Sequence, residues 1–187
     1  DQSVIAKIPF DSDAAEHPLV MFTDPHSLRA ESYRKLRTNL QFLQVAKGSD
    51  KNSFVVTSSI AGEGKSTTSI NLASTLAEGG EKVLLIDADL RRSTVAKYLN
   101  LEGSVGLTTI LLGRAHLEDV VQPIGSGGLH IVAAGEIPPN PAELLASDAM
   151  KRLLDEAMQS YDTVVLDGAP LLPVTDAAIL STLTGGA

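Results

Sequence analysis

The residues of this sequence best suited to chemistry run from Ser58 to Thr67, SSIAGEGKST. They follow SFVVTS, a β-branched run bounded by turn residues that reads as a buried strand, and they lead into a helix expected over 65–78. The phosphate-loop template is G-x-x-x-x-G-K-[ST]. Gly64, Lys65 and Ser66 match it, Thr67 follows, and Ser59 stands at the first glycine position. Small residues at Ala61, Gly62 and Gly64 let backbone N–H groups curl around a phosphate. The helix behind them points its positive end at the same place. Lys65 can reach the β and γ oxygens of a nucleotide, and the Ser66 hydroxyl can bind Mg²⁺. The nucleotide cradle is therefore expected at Ala61, Gly62, Glu63, Gly64, Lys65, Ser66 and Thr67.

Two further apolar runs end in carboxylates. KVLLIDADLRR delivers Asp87 and Asp89, followed by Arg91 and Arg92, and DTVVLDGAP delivers Asp167. In an open parallel sheet, ligands bind at the carboxyl ends of the strands. Hard oxygen ligands collected there are what Mg²⁺ needs, several of them acting through water. Ser66, Asp87 and Asp167 are the expected metal set. Lys65, Asp87 and Asp89 are the expected catalytic groups, with Asp87 or Asp89 orienting the attacking group. These residues leave open whether that group is water or a hydroxyl. Arg91 and Arg92 fit equally well as surface charges or as a hold on an acidic substrate or a neighbouring chain.

The elements that must position these groups alternate. Strands are expected over 53–58, 82–87, 129–134 and 162–167. Helices are expected over 27–46, 65–78, 140–160 and near 175–184. Ser27 caps the first helix, whose Tyr33, Leu36, Leu40 and Leu43 recur at helical spacing. Gly79-Gly80 ends the second. Asn140 caps the third, with Pro141 in its first turn. Continuous apolar strands alternating with helices give an α/β fold of the P-loop NTPase kind: a mostly parallel sheet with helices on both faces. Residues 1–26 read as an irregular segment, 27–187 as one domain, and 47–52 as a polar turn.

With 187 residues there is room for one core. The net charge of −8 argues against nucleic acid as a partner. The absence of cysteine removes disulfides, thiolate zinc sites and thiol nucleophiles. His17, His26, His116 and His130 are scattered without ligand spacing. The most apolar stretch, 163–183, is broken by Asp167, Pro170, Pro173 and Asp176, so no span of about 20 apolar residues is present. A first residue that is not Met and an ending on Gly185-Gly186-Ala187 suggest a piece of a longer protein, with last strands and a tail beyond it.

The order SSIAGEGKST, VLLIDADLRR and YDTVVLDGAP resembles the bacterial tyrosine kinases (BY-kinases) of capsule and exopolysaccharide synthesis. These belong to the deviant-Walker branch of P-loop ATPases that includes MinD and ParA. Their Walker A′ pattern, D-x-D-x-R, is matched by Asp87, Asp89 and Arg91. Their Walker B pattern, D-x-x-P, is matched by Asp167 and Pro170. The family's E-x-x-R-x-x-R signature is matched by Glu31, Arg34 and Arg37, and GEIPPNPAELLAS is similar to the segment before Walker B. The resemblance covers the chain from about residue 27. It implies an ATP- and Mg²⁺-dependent protein-tyrosine autokinase that regulates polysaccharide polymerisation and export. Asp87 would be metal partner and base toward a tyrosine hydroxyl, with Asp89 supporting the metal shell. It also implies self-association, in a ring, through Glu31, Arg34 and Arg37. IAKIPFD near the start resembles the join to a membrane adaptor of the chain-length-determinant type, fused or separate. That would place the domain in the cytoplasm, at the inner face of the membrane.

Some positions depart from the family pattern. Ser59 stands where ParA-type ATPases carry a signature lysine, which favours the kinase over a MinD/ParA-like ATPase acting as an assembly switch without protein phosphorylation. Walker B reads DGAP where DTPP is frequent, and Ser93 stands where a proline is frequent. The family's tyrosine cluster is absent; Tyr33, Tyr98 and Tyr161 are the tyrosines present, and each reads as a packing residue.

Overall fold

The computed structural model describes residues 4–47 and 52–184. The polar turn expected at 47–52 lies almost wholly outside the described residues. Among the described residues five strands form one sheet: β1 (Ser53–Val56), β2 (Val83–Asp87), β3 (Gln122–Ile124), β4 (Leu129–Val132) and β5 (Thr163–Asp167), in the order β1-β5-β2-β4-β3. β1, β5, β2 and β4 are mutually parallel, and β3 is an antiparallel edge strand on β4. That edge strand was not expected. Three polar-to-mixed residues with a central proline, QPI, carry no apolar run, and proline is tolerated where no neighbour needs its N–H.

The sheet is buried on both faces, and alternation along each strand sorts the side chains. Phe54, Val83, Leu85, Val165, Leu129 and Ile131 face one helical layer. Val55, Leu84, Ile86, Val164, Leu166 and Val132 face the other. Each such side chain taken fully from water contributes roughly 1.5–3 kcal/mol.

On the first face lie α1 (Val20–Thr23), α2 (Leu28–Lys47), α3 (Lys65–Glu78) and α4 (Val95–Leu99); α3 contributes Ile70, Leu72, Ala73 and Leu76 to the core. The Ser27 hydroxyl accepts the Ala30 N–H at 3.2 Å, as expected of a cap. Tyr33 is fully buried, but Leu43 is exposed, so the apolar stripe of α2 ends a turn earlier than its spacing predicts. The N-terminal segment is less irregular than expected. It forms a 3₁₀ turn at Ser12–Ala15 and the short α1, buries Leu19 and Val20, and is held to α3 by the Met21 N–H on Asn71 Oδ1 at 3.1 Å.

On the second face lie α5 (Leu107–Leu111), α6 (Leu117–Val120), α7 (Pro141–Leu145), α8 (Asp148–Ser160) and α9 (Asp176–Leu183). The single helix expected at 140–160 is broken between α7 and α8. Ser147 donates its hydroxyl to the Leu144 carbonyl and accepts the Met150 N–H, closing one helix and capping the next. Asn140 does not cap α7 with its side chain; its amide donates to Glu143 Oε2 at 2.9 Å instead. Met150, Leu153, Leu154 and Ala157 form the buried stripe of α8.

Candidate functional site

Three strand ends meet at the site. β1 feeds the phosphate loop, and β2 and β5 lie side by side in register, which makes Asp87 and Asp167 direct neighbours across the ladder. The loop closes on α3 through Gly62 and Gly64, whose φ values of 87° and 82° lie in the left-handed region that glycine adopts without strain. The Thr67 hydroxyl donates to the Gly64 carbonyl at 2.8 Å. The N–H groups of the first turn of α3 have no partner within the helix and face the loop. Glu63 braces the loop from outside, its Oε2 accepting the N–H groups of Ser59 (2.8 Å) and Ile60 (3.1 Å). The far wall is the segment after β5, tied down by Leu171 N–H on the Ser58 carbonyl and Leu172 N–H on the Ser59 carbonyl.

These walls enclose a cleft of about 560 Å³, lined by the loop residues 61–67 except Glu63, by Asp89, Arg91, Arg92, Thr94 and Tyr98, and by 169–170 and 173–174. Tyr98 is thus not the packing residue expected: it is 44% exposed and stands on the cleft wall. Tyr33 and Tyr161 are buried as expected, the latter bonded to His130 Nδ1 at 2.8 Å.

Inside the cleft the expected residues converge. Lys65 Nζ lies 3.0 Å from Asp89 Oδ2 and 3.4 Å from Asp167 Oδ2. Ser66 donates to Asp167 Oδ2 at 2.6 Å, and Ser69 donates to Asp167 Oδ1 at 2.9 Å. Asp87 accepts backbone N–H groups of Asp89 (3.2 Å), Thr94 (3.1 Å) and Val95 (3.1 Å), which fixes the entry to α4. Asp87, Asp89 and Asp167 are all buried.

Three carboxylates around one ammonium leave the cluster rich in negative charge. Burial, and then the charge of Asp167, push the Asp87 carboxyl up to about 7. Burial also raises Asp167, against the pull of Lys65, Ser66 and Ser69. Burial acts to lower Lys65, but Asp167 and Asp89 outweigh it and hold the ammonium above its ordinary value. No cluster of three or more His, Cys, Asp or Glu ligands exists among the described residues. The donors that do converge, one hydroxyl and neighbouring carboxylates short of positive charge, fit Mg²⁺, which is held by one or two carboxylates together with substrate phosphates and water.

Two expected features resolve differently from one another. Arg91 is not a free surface charge: its Nε and Nη2 fork onto Asp176 at 2.8 and 3.1 Å, and Asp176 is fully buried. Arg92 is exposed at the cleft with no side-chain partner among the described residues. Asp176 carries no motif spacing of its own and could be suspected from sequence only as an acidic residue opening a helix. The Glu31, Arg34 and Arg37 ladder lies away from the cleft, on the seam between α2 and α3. Arg34 forks onto Glu78 (2.7 and 2.7 Å) and also reaches Glu31, while Arg37 donates to the Thr75 carbonyl at 2.6 Å. Glu31 remains largely exposed.

DGAP also finds a reason. A Cβ on Gly168 would sit 2.8 Å from Val55 Cγ1 and 3.4 Å from the Ala177 Cβ, so α9 packs onto β1 through the space that glycine leaves.

A family model described as an AAA domain matches residues 53–183. The chain is 47% identical over 168 residues to the tyrosine-protein kinase YwqD of Bacillus subtilis (strain 168), covering 90% of this chain and 70% of that protein. It is 36% identical to the tyrosine-protein kinase etk of Escherichia coli (strain K12), again over 90% of this chain but only 23% of that protein. The solved kinase domain of Escherichia coli tyrosine kinase ETK superposes with a TM-score of 0.91 at 34% identity, covering 98% of this chain and 75% of that one. Further out, septum site-determining protein MinD of Pyrococcus horikoshii, solved with Mg-ADP, shares the fold at a TM-score of 0.58 and 24% identity, over 71% of this chain and 54% of that one.

Proposed function

The chain belongs to the bacterial tyrosine kinases, and from that premise we propose that it transfers the γ-phosphoryl group of ATP to tyrosine hydroxyls of its own polypeptide. The observation that carries this is the convergence of Lys65, Asp89, Asp167 and Ser66 at the mouth of a phosphate loop, with Asp87 beside them. Backbone N–H groups of 61–67 hold the phosphates. Lys65 exchanges its longer contact with Asp167 for β and γ oxygens and keeps its pair with Asp89. Ser66 and Asp167, with Asp87 alongside, would hold Mg²⁺, which would supply positive charge against the phosphates. The tyrosine oxygen forms the new bond to phosphorus as the bond to ADP breaks. Its proton passes to Asp87, the buried carboxylate beside Asp167 at the strand ends. Asp89 keeps Lys65 in line.

The wider setting is part of the same proposal. Curated relatives bear names such as tyrosine-protein kinase EpsB of Ralstonia nicotianae and a putative tyrosine-protein kinase in the cps region of Klebsiella pneumoniae, and this chain spans 21% and 25% of them. These names support control of polysaccharide polymerisation and export as the role. A membrane adaptor, fused at the N-terminal side or separate, would hold the domain at the inner face of the membrane. No helix among the described residues is long and apolar enough to cross it. Self-association in a ring is proposed through Glu31, the exposed member of the α2 ladder.

The test is incubation of the full-length protein with labelled ATP and Mg²⁺ beside Lys65→Met. Label on tyrosine that disappears in the variant is the expected result. Phosphate release with no labelled protein would instead identify water as the acceptor and the MinD-like switch as the activity.

A further inference from the structure

The phosphate-binding lysine is aimed by a chain of contacts that begins outside the motifs. Lys65 Nζ is paired with Asp89 Oδ2 at 3.0 Å. The other oxygen of Asp89 accepts the backbone N–H groups of Arg91 (3.3 Å) and Arg92 (3.0 Å). Residues 88–94 belong to no strand or helix, so no ladder fixes Asp89. That segment is pinned near its two ends, by Ala88 N–H on the Asp167 carbonyl and by Thr94 N–H on Asp87. Between those ends, the Arg91 side chain crosses to α9 and forks onto Asp176.

Asp176 is fully buried, while 41% of its partner's side chain is exposed. The opening position of a helix explains an acidic residue there in part, through the helix dipole. It does not explain a two-pronged bond to a guanidinium that sits in the wall of the cleft. A planar fork meeting a buried carboxylate fixes direction as well as distance. The hold on Asp176 keeps Arg91 Nε still, hence its backbone N–H, hence Asp89.

We propose that Asp176 is a positioning residue for phosphoryl transfer, acting through Arg91 and Asp89 on Lys65. The proposal rests on the reading of the cleft as a phosphoryl-transfer site, and on nothing about the acceptor.

The test uses the full chain with Asp176→Asn, Arg91→Lys and Arg91→Gln. Phosphate release and tyrosine labelling are followed side by side at saturating Mg-ATP, with Mg-ADP affinity and the thermal midpoint measured on the same samples. Misplacing a charge by about 1 Å costs up to about 100-fold in rate. The expected result is a fall in kcat of about tenfold or more in Asp176→Asn and Arg91→Gln, with Arg91→Lys in between. The dissociation constant for Mg-ADP stays within about threefold, because the loop N–H groups and Ser66 do not hang on Arg91. The proposal is overturned if kcat stays within twofold of the parent, or if Mg-ADP affinity falls as steeply as kcat, which would make the pair a general prop of the cleft. Should Asp176→Asn fail to fold, the two Arg91 variants, at the more exposed end of the pair, decide the matter alone. If the parent releases phosphate without labelling tyrosine, the kinase reading falls while the phosphate-release rates still judge Asp176.

Discussion

Replacing Asp87 with Asn should make the protein more stable at pH 8 while ending tyrosine transfer. Asp87 is fully buried and lies in register beside Asp167. Its carboxyl is raised from 3.8 to about 7, first by burial and then by the Asp167 charge. At ~1.4 kcal/mol per tenfold change in proton affinity, ionising it in the fold costs on the order of 4 kcal/mol. The folded state binds this proton more tightly than the unfolded state, so stability is highest below the unfolded value and falls as pH rises from about 4 toward about 7. Asn carries no charge, but it has one acceptor oxygen where Asp87 uses two to receive three N–H groups. The unmatched donor costs about 1–2 kcal/mol. The balance is a variant about 2 kcal/mol more stable at pH 8 and about equal to the parent at pH 5. Urea unfolding at both pH values, without nucleotide or Mg²⁺, measures it. A variant less stable than its parent at pH 8, or a gap that does not change with pH, would refute the account of the carboxylate cluster.

Two other perturbations test the surrounding scaffold. Gly168→Thr, which moves DGAP toward DTPP, places a Cβ 2.8 Å from the buried Val55; overpacking should cost about 1–3 kcal/mol in urea unfolding with nucleotide binding retained. Glu31→Ala should lower the oligomer mass in light scattering with little change in stability, since Glu31 makes one exposed pair. Arg34→Ala should in contrast lower the unfolding free energy by about 1 kcal/mol or more, because it releases the fork onto Glu78 and the bond to the Pro25 carbonyl.

Most of the site was legible because it is local. The loop needs glycine where φ is positive, and a lysine and hydroxyl directly after it. A buried parallel strand announces its end by the change from Val, Leu and Ile to Asp. These are constraints within ten residues, and sequence carries them. The elements between 90 and 128 were not foreseen for the converse reason. α4, α5 and α6 are four or five residues long, too short to show a helical period, and β3 exists only because β4 offers it an edge. Ser147 shows the same limit at finer scale: a residue read as one more polar position in a helix turned out to end one helix and begin another.

Position along the chain says nothing about what a charge will meet, and here that matters more than the count of charges. Arg91 and Arg92 are adjacent and identical in type, yet one is fixed by a buried carboxylate from 85 residues away and the other is left to the cleft. Arg34 matched a subunit-contact signature and is mostly occupied within its own chain. Asp87 and Asp89 stand two residues apart at one strand end. The first holds the backbone that starts α4, the second pairs with Lys65, and only the three-dimensional partners separate two carboxylates that the sequence offers as equals. The motif therefore locates the chemistry, while the division of labour within it is set by contacts that span the sheet.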